Sequence, residues 1–118
     1  MREEMNMGAR SNLGEFEQLV LLAILQLADE AYGPSISELL ERALGREVSR
    51  GALYSSLSRL EQKGFVEWKV EATSSQRGGS RNRRFSVTEK GLETLRDVRA
   101  AQAMLSRGLE SELGRAKR

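Results

Sequence analysis

Between Gly64 and Glu71 the spacing of apolar residues changes from every third or fourth position to every second, and this change limits the fold more than any other feature. A stripe of period 3.6 suits one helix face, and a period of two suits one strand face; neither substitutes for the other. In Phe65–Glu71, Val66, Trp68 and Val70 alternate with Glu67, Lys69 and Glu71, the pattern of a half-buried strand. Thr73–Asn82 reads TSSQRGGSRN, a turn-rich loop, and Arg83–Val87 reads as the return strand with Phe85 and Val87 on one side. Trp68 belongs on the covered face of this hairpin, where core packing is a simpler role than stacking on a ligand.

Helical periodicity surrounds the hairpin. The spacing predicts a first helix over 14–28, with Phe16, Leu19, Val20, Ala23, Ile24 and Leu27 as its stripe. Leu21, Leu22 and Leu25 lie off that stripe, so a second apolar face is expected to meet either another subunit or neighbouring helices of the same chain. Pro34 suits a first helical turn, and Ser35-Ile36-Ser37-Glu38 matches a capping box. The second helix is expected to end near Leu44, burying Ile36, Leu39, Leu40 and Ala43, with Gly45 terminating it. Ser49 is the candidate N-cap of a third helix running to Lys63, with Gly64 as its stop. That helix buries Leu53, Leu57 and Leu60, with Val48 packed before it, and turns Arg50, Tyr54, Ser55, Ser58, Arg59 and Gln62 outward.

After the hairpin, Thr88 caps a last helix expected to reach Leu113. Leu95, Val98, Gln102, Leu105 and Leu109 recur at spacings of three and four, a short heptad-like seam. A helix over 89–113 would be about 37 Å long at 1.5 Å per residue. A domain of this size does not cover that length, so the seam calls for a second copy of the chain.

At 118 residues there is room for one core. The chain has no cysteine and no histidine, which removes disulfides, the usual zinc ligands, thiol nucleophiles and the commonest general base. No Gly-Lys phosphate loop is present either, so neither an enzyme, a metal site nor a cofactor is expected. The run Leu19–Leu25, LVLLAIL, is far shorter than the roughly 20 residues a bilayer span needs. Met1–Asn12 has no apolar signal region, and a cytoplasmic protein is expected.

Net charge is only +2, but it is unevenly spread: from Ala72 to Thr88 there is no acidic residue, while Arg77, Arg81, Arg83 and Arg84 all fall there. Such a stripe is an electrostatic footprint for nucleic acid. Three helices, a basic-tipped hairpin and a long helix make a chain that is mainly α with a small β hairpin (α+β). This is the order of a winged helix-turn-helix followed by a long C-terminal dimerisation helix. The expected layout is a flexible tail over 1–12, a winged-helix DNA-binding domain over 13–88, a dimerisation helix over 89–113 and a tail over 114–118. The third helix would enter the major groove by its first turns, where Gly51 either lets the backbone approach a phosphate or is a neutral surface glycine near a fraying end. Tyr54 could reach a phosphate or sugar, or instead cap the core edge. The hairpin tip would reach the phosphate backbone or the minor groove. A winged-helix module that binds another protein is the competing reading.

Leu53-Tyr54-x-x-Leu57-x-Arg59-Leu60-Glu61-x-Lys63-Gly64-Phe65-Val66 resembles the hallmark of the PadR family of transcriptional regulators. Arg77-Gly78-Gly79-x-Arg81-x-Arg83-x-Phe85-x-Val87-Thr88-x-x-Gly91 resembles its wing, and Ala31-Tyr32-Gly33 with Ile36 resembles the start of its second helix. The resemblance covers about 13–109. Ser80 interrupts the usual RGGR run, Phe85 stands where tyrosine is common, and Ser55 replaces proline or threonine. It implies a homodimeric regulator, a repressor or activator, on a palindromic operator in double-stranded DNA. Helix contacts would come from Ser49, Arg50, Gly51, Tyr54, Ser55 and Arg59, and wing contacts from Arg77, Gly78, Gly79, Arg81 and Arg83. The dimer interface would comprise Leu21, Leu22, Leu25, Leu95, Val98, Gln102, Leu105 and Leu109. The single C-terminal helix resembles the short subfamily, which implies a small-molecule effector between subunits, with Phe16 and Met104 as candidate lining and its identity open.

Overall fold

The structure, a computed structural model, describes residues 13–72 and 81–115. Expectations for 1–12, 73–80 and 116–118 lie outside the described residues. In chain order the elements are α1 (Glu15–Leu27), a 3-10 turn (Ala28–Glu30), α2 (Gly33–Leu44), α3 (Arg50–Gln62), β1 (Val66–Ala72), β2 (Arg81–Val87), α4 (Glu89–Ser106) and α5 (Glu110–Arg115). No helix among them is long and apolar enough to cross a membrane.

α1 is the hub, touching α2, α3, β2 and α4. Val20, Leu21, Ala23 and Ile24 are all buried, so its apolar face is wider than the expected stripe and Leu21 lies inside it. Around α1 gather Ile36 and Leu40 of α2, Leu53, Leu57 and Leu60 of α3, Phe65, Val66 and Phe85 of the hairpin, and Leu95 of α4. At about 25 cal/mol per Å² of apolar surface, these residues supply most of the drive to fold.

The start of α2 differs from expectation. The helix begins at Gly33 with Pro34 in its first turn, and Tyr32 rather than Ser35 is the N-cap residue. Ser35 lies one turn inside, and its Oγ accepts from the Tyr32 N–H at 3.0 Å while donating to the Glu30 carbonyl. Two serines and a glutamate near a proline admit more than one capping frame, and Pro34 selects the earlier one by fixing its own φ in the helical range. Gly45 ends α2 with φ 72, as expected, but Ala43 is exposed. Glu41 reaches over the following turn to accept from the Val48 N–H at 2.9 Å. Ser49 caps α3, its Oγ accepting from the Ala52 N–H at 3.0 Å.

β1 and β2 pair antiparallel, with Val66 opposite Val87, Trp68 opposite Phe85 and Val70 opposite Arg83. The base of the hairpin is stitched to the segment before α2. The Phe85 N–H donates to the Ala31 carbonyl at 2.9 Å, and Tyr32 bridges Arg84. Thr88 joins the hairpin to α4: its hydroxyl donates to the Gly64 carbonyl at 2.7 Å and accepts from the Gly91 N–H at 3.0 Å. Gly91 is required by contact, since a β-carbon there would run into the Phe65 carbonyl oxygen.

The last helix is not the single rod expected over 89–113. α4 stops at Ser106, Gly108 takes φ 82, and α5 starts afresh at Glu110. Gly108 has no side chain to hold the last turn to a neighbour, and the left-handed backbone it allows ends the helix. Leu95 is buried and Val98 packs on the same core, whereas Leu105 is 77% and Leu109 42% exposed.

Candidate nucleic-acid interface

The first turns of α3 form an exposed ridge. Ser49, Arg50, Gly51 and Ser55 face out, Leu53 points into the core, and Tyr54 is half-buried. Around Gly51 a β-carbon would meet nothing within 4 Å. A helix residue in open space pays for being glycine in backbone entropy without gaining anything from its neighbours in the fold. The bare backbone therefore faces outward, at the positive end of the helix, where amide groups attract anions.

One side of the ridge falls into a cleft of about 550 Å³ lined by Gly33, Arg50, Gly51, Tyr54, Asn82 and Arg83. Both arginines lie on aromatic faces: the Arg50 guanidinium is 5.7 Å from the Tyr54 ring centroid, and that of Arg83 is 4.7 Å from Trp68. Tyr54 holds its place because position 33 is glycine; a β-carbon there would overlap the phenol oxygen. The other side of the ridge falls into a cleft of about 580 Å³ whose walls include Phe16, Arg46, Ser49, Ser55 and Arg59. Arg46, exposed at the turn before α3, escaped the sequence reading because a lone surface arginine carries no pattern.

Two arginines have acidic partners that the sequence reading did not reveal. Arg59 lies in the last turn of α3, where its Nε donates to Glu17 Oε2 at 3.1 Å; Lys63 Nζ donates to Glu17 Oε1 at 2.8 Å. Glu17 is buried at 4% exposure and also accepts from the Gly14 N–H at 2.9 Å. Burial pushes its carboxyl up, but hydrogen bonds from Lys63, Gly14 and Arg59 outweigh that and hold it below the ordinary carboxylate value. The signal was in the sequence: Glu17 shares the spacing of Val20, Leu21 and Ile24, an acid on the buried stripe. Arg84, counted in the basic stripe, makes a two-pronged contact with Glu71 at 3.1 and 3.0 Å. Hydrogen bonding to Arg84 lowers the Glu71 carboxyl and raises the guanidinium in return. Its acidic partner lies just ahead of the stripe, on the neighbouring strand.

Of the expected wing residues, Arg83 is described in full, Arg81 is described only as the first residue of β2, and Arg77, Gly78 and Gly79 lie outside the described residues. Of the expected dimer residues, Leu21 and Leu95 are sealed inside the chain's own core. Leu22 and Val98 are half-buried, and Leu25 is 42% exposed. The Gln102 amide donates to Gln18 Oε1 at 3.2 Å, tying α4 to α1. Phe16 lines the second cleft, while Met104 is exposed on α4.

The family model described as Transcriptional regulator PadR-like family matches residues 21–97, from within α1 to the middle of α4. No relative of curated function matches the chain. Among solved structures, the chain is similar to a PadR-like transcriptional regulator from Bacillus cereus, with 28% identity and a TM-score of 0.68 over 83% of this chain and 90% of that one. It is also similar to a PadR family transcriptional regulator from Eggerthella lenta, with 26% identity and a TM-score of 0.61 over 94% and 90%. RosR of H. salinarum shares the fold, at 24% identity and a TM-score of 0.65 over 90% of this chain and 94% of that one.

Proposed function

Because the chain belongs to the PadR-like family of transcriptional regulators, we propose that it binds double-stranded DNA as a homodimer and represses transcription from a palindromic operator. The observation that carries this reading is the exposed first turn of α3, with Gly51 in open space and an arginine-lined cleft beside it. Ser49, Arg50, Gly51, Tyr54 and Ser55 meet the major groove. Arg83, with Arg81 and the Arg77-Gly78-Gly79 tip, meets the phosphate backbone or the adjacent minor groove. Arg59, whose side chain is 54% exposed although its Nε pairs with Glu17, stays in the proposed set of helix contacts. Residues 13–88 form the DNA-binding unit, and those of 89–113 left outside the core form the dimer arm. The exposed Leu25, Leu105 and Leu109 support a second copy as the arm's partner. The regulator works in the cytoplasm, and an effector between subunits remains part of the reading with its ligand unnamed.

The test is a titration of the purified protein against DNA upstream of its own gene, with scrambled DNA as competitor, at two salt concentrations. Binding that weakens steeply with salt and survives the competitor is the expected outcome, because each neutralised phosphate releases counterions. Salt-insensitive behaviour, or no binding to either DNA, would return the fold to the protein-binding alternative.

A further inference from the structure

β2 carries two consecutive arginines held in opposite ways. Arg84 is gripped by Glu71, which fixes the head but cancels its charge. Arg83 points to the other face of the hairpin, where its guanidinium lies 4.7 Å from the centroid of Trp68, and no carboxylate among the described residues is within ion-pair reach of it. An aromatic face attracts a guanidinium without neutralising it. Trp68 sits opposite Phe85, two residues along β2 from Arg83, so ring and guanidinium meet as diagonal neighbours on one sheet face. The indole N–H is buried with no acceptor among the described residues, so packing and the face contact with Arg83 orient the ring. Arg83 also lines the cleft that it shares with Arg50 and Gly51.

We propose that Trp68 is a positioning residue for DNA binding: its ring holds the Arg83 head at the cleft wall, ordered and still charged, for a backbone phosphate. This rests on the DNA-binding reading above. A long arginine free in solvent must give up rotamer freedom when it meets an anion, and one stacked beforehand has already given up part of it. The tryptophan therefore acts on the nucleic acid without touching it.

The test is a double-mutant cycle on full-length protein, using a mixed-sequence duplex at low salt, since a phosphate contact does not depend on base sequence. Trp68→Leu is expected to weaken binding by about 2- to 5-fold, the value of an exposed cation–π contact, and Trp68→Tyr by less. Arg83→Ala should also weaken binding and reduce the slope of log affinity against log salt by about one, the share of one phosphate. With Arg83 already alanine, Trp68→Leu should cost nothing more. An equal loss in both backgrounds would make Trp68 merely structural and overturn the proposal, while leaving DNA binding intact. A wild type without salt-dependent binding would instead sink the DNA-binding reading and the proposal with it. One readout needs no DNA: Trp68 is the sole tryptophan, so Arg83→Ala should shift the emission of the free protein to longer wavelength as water replaces the guanidinium. An unchanged spectrum would overturn the stack itself.

Discussion

Gly51 lies in the first turn of α3, where alanine would favour the helix by up to about 1 kcal/mol. Nothing in the fold obstructs that methyl group. Gly51→Ala is therefore expected to raise the denaturation midpoint while lowering DNA affinity by about tenfold, a cost of about 1.4 kcal/mol at an interface that needs close backbone approach. Parallel urea titrations and duplex-binding curves would check both halves. A variant that is more stable and binds equally well would mean that no phosphate comes close to that turn. This opposition between stability and binding separates Gly51 from Gly33 and Gly91, whose missing side chains make room for Tyr54 and the Phe65 carbonyl.

At the scale of elements, Glu17 ties the start of α1 to the end of α3. Its folded carboxyl is held below the ordinary value, so its contribution is present above the unfolded pKa of about 4.3 and is lost as pH falls through the lower folded value. Glu17→Gln should cost about 2 kcal/mol near neutrality, the scale of hydrogen bonds to a charged group. The gap from wild type should narrow toward about pH 3, as the wild-type carboxyl takes up its proton. Unfolding midpoints across that range would decide it, and a gap independent of pH would mean that the carboxylate charge contributes nothing. Glu17 also shows where sequence reading ran out. The order of helices and hairpin was legible because the period changes at Gly64 and changes back at Thr88, and because Ser49, Thr88 and Gly45 are strong local punctuation. A buried acid depends on which cations the fold brings to it, and Arg59 and Lys63 lie more than forty positions away. Gly108 was passed over for the opposite reason: the heptad spacing of Leu105 and Leu109 continues across it, so periodicity outvoted the one residue that ends α4.

For the whole molecule, the surface left free for the proposed dimer arm is narrower than the sequence suggested. Leu21 and Leu95 serve the chain's own core, while Leu105 and Leu109, on either side of the Gly108 break, stay exposed. Leu105→Asp with Leu109→Asp should give a monomer by sedimentation with the winged domain still folded; an unchanged mass would place the interface elsewhere. The bridge between Tyr32 and Arg84, together with the Ala31–Phe85 hydrogen bond, has a thermodynamic consequence for such a molecule. It joins the base of the hairpin to the start of α2, which packs on α3, so on the proposed reading the groove-facing helix and the arginine beside it would be held in one body before any duplex arrives. Association then has little internal disorder to suppress at this base, and its entropy is governed by released ions and water. A duplex meets a mould already set, and sequences that must bend to fill it bear the strain themselves.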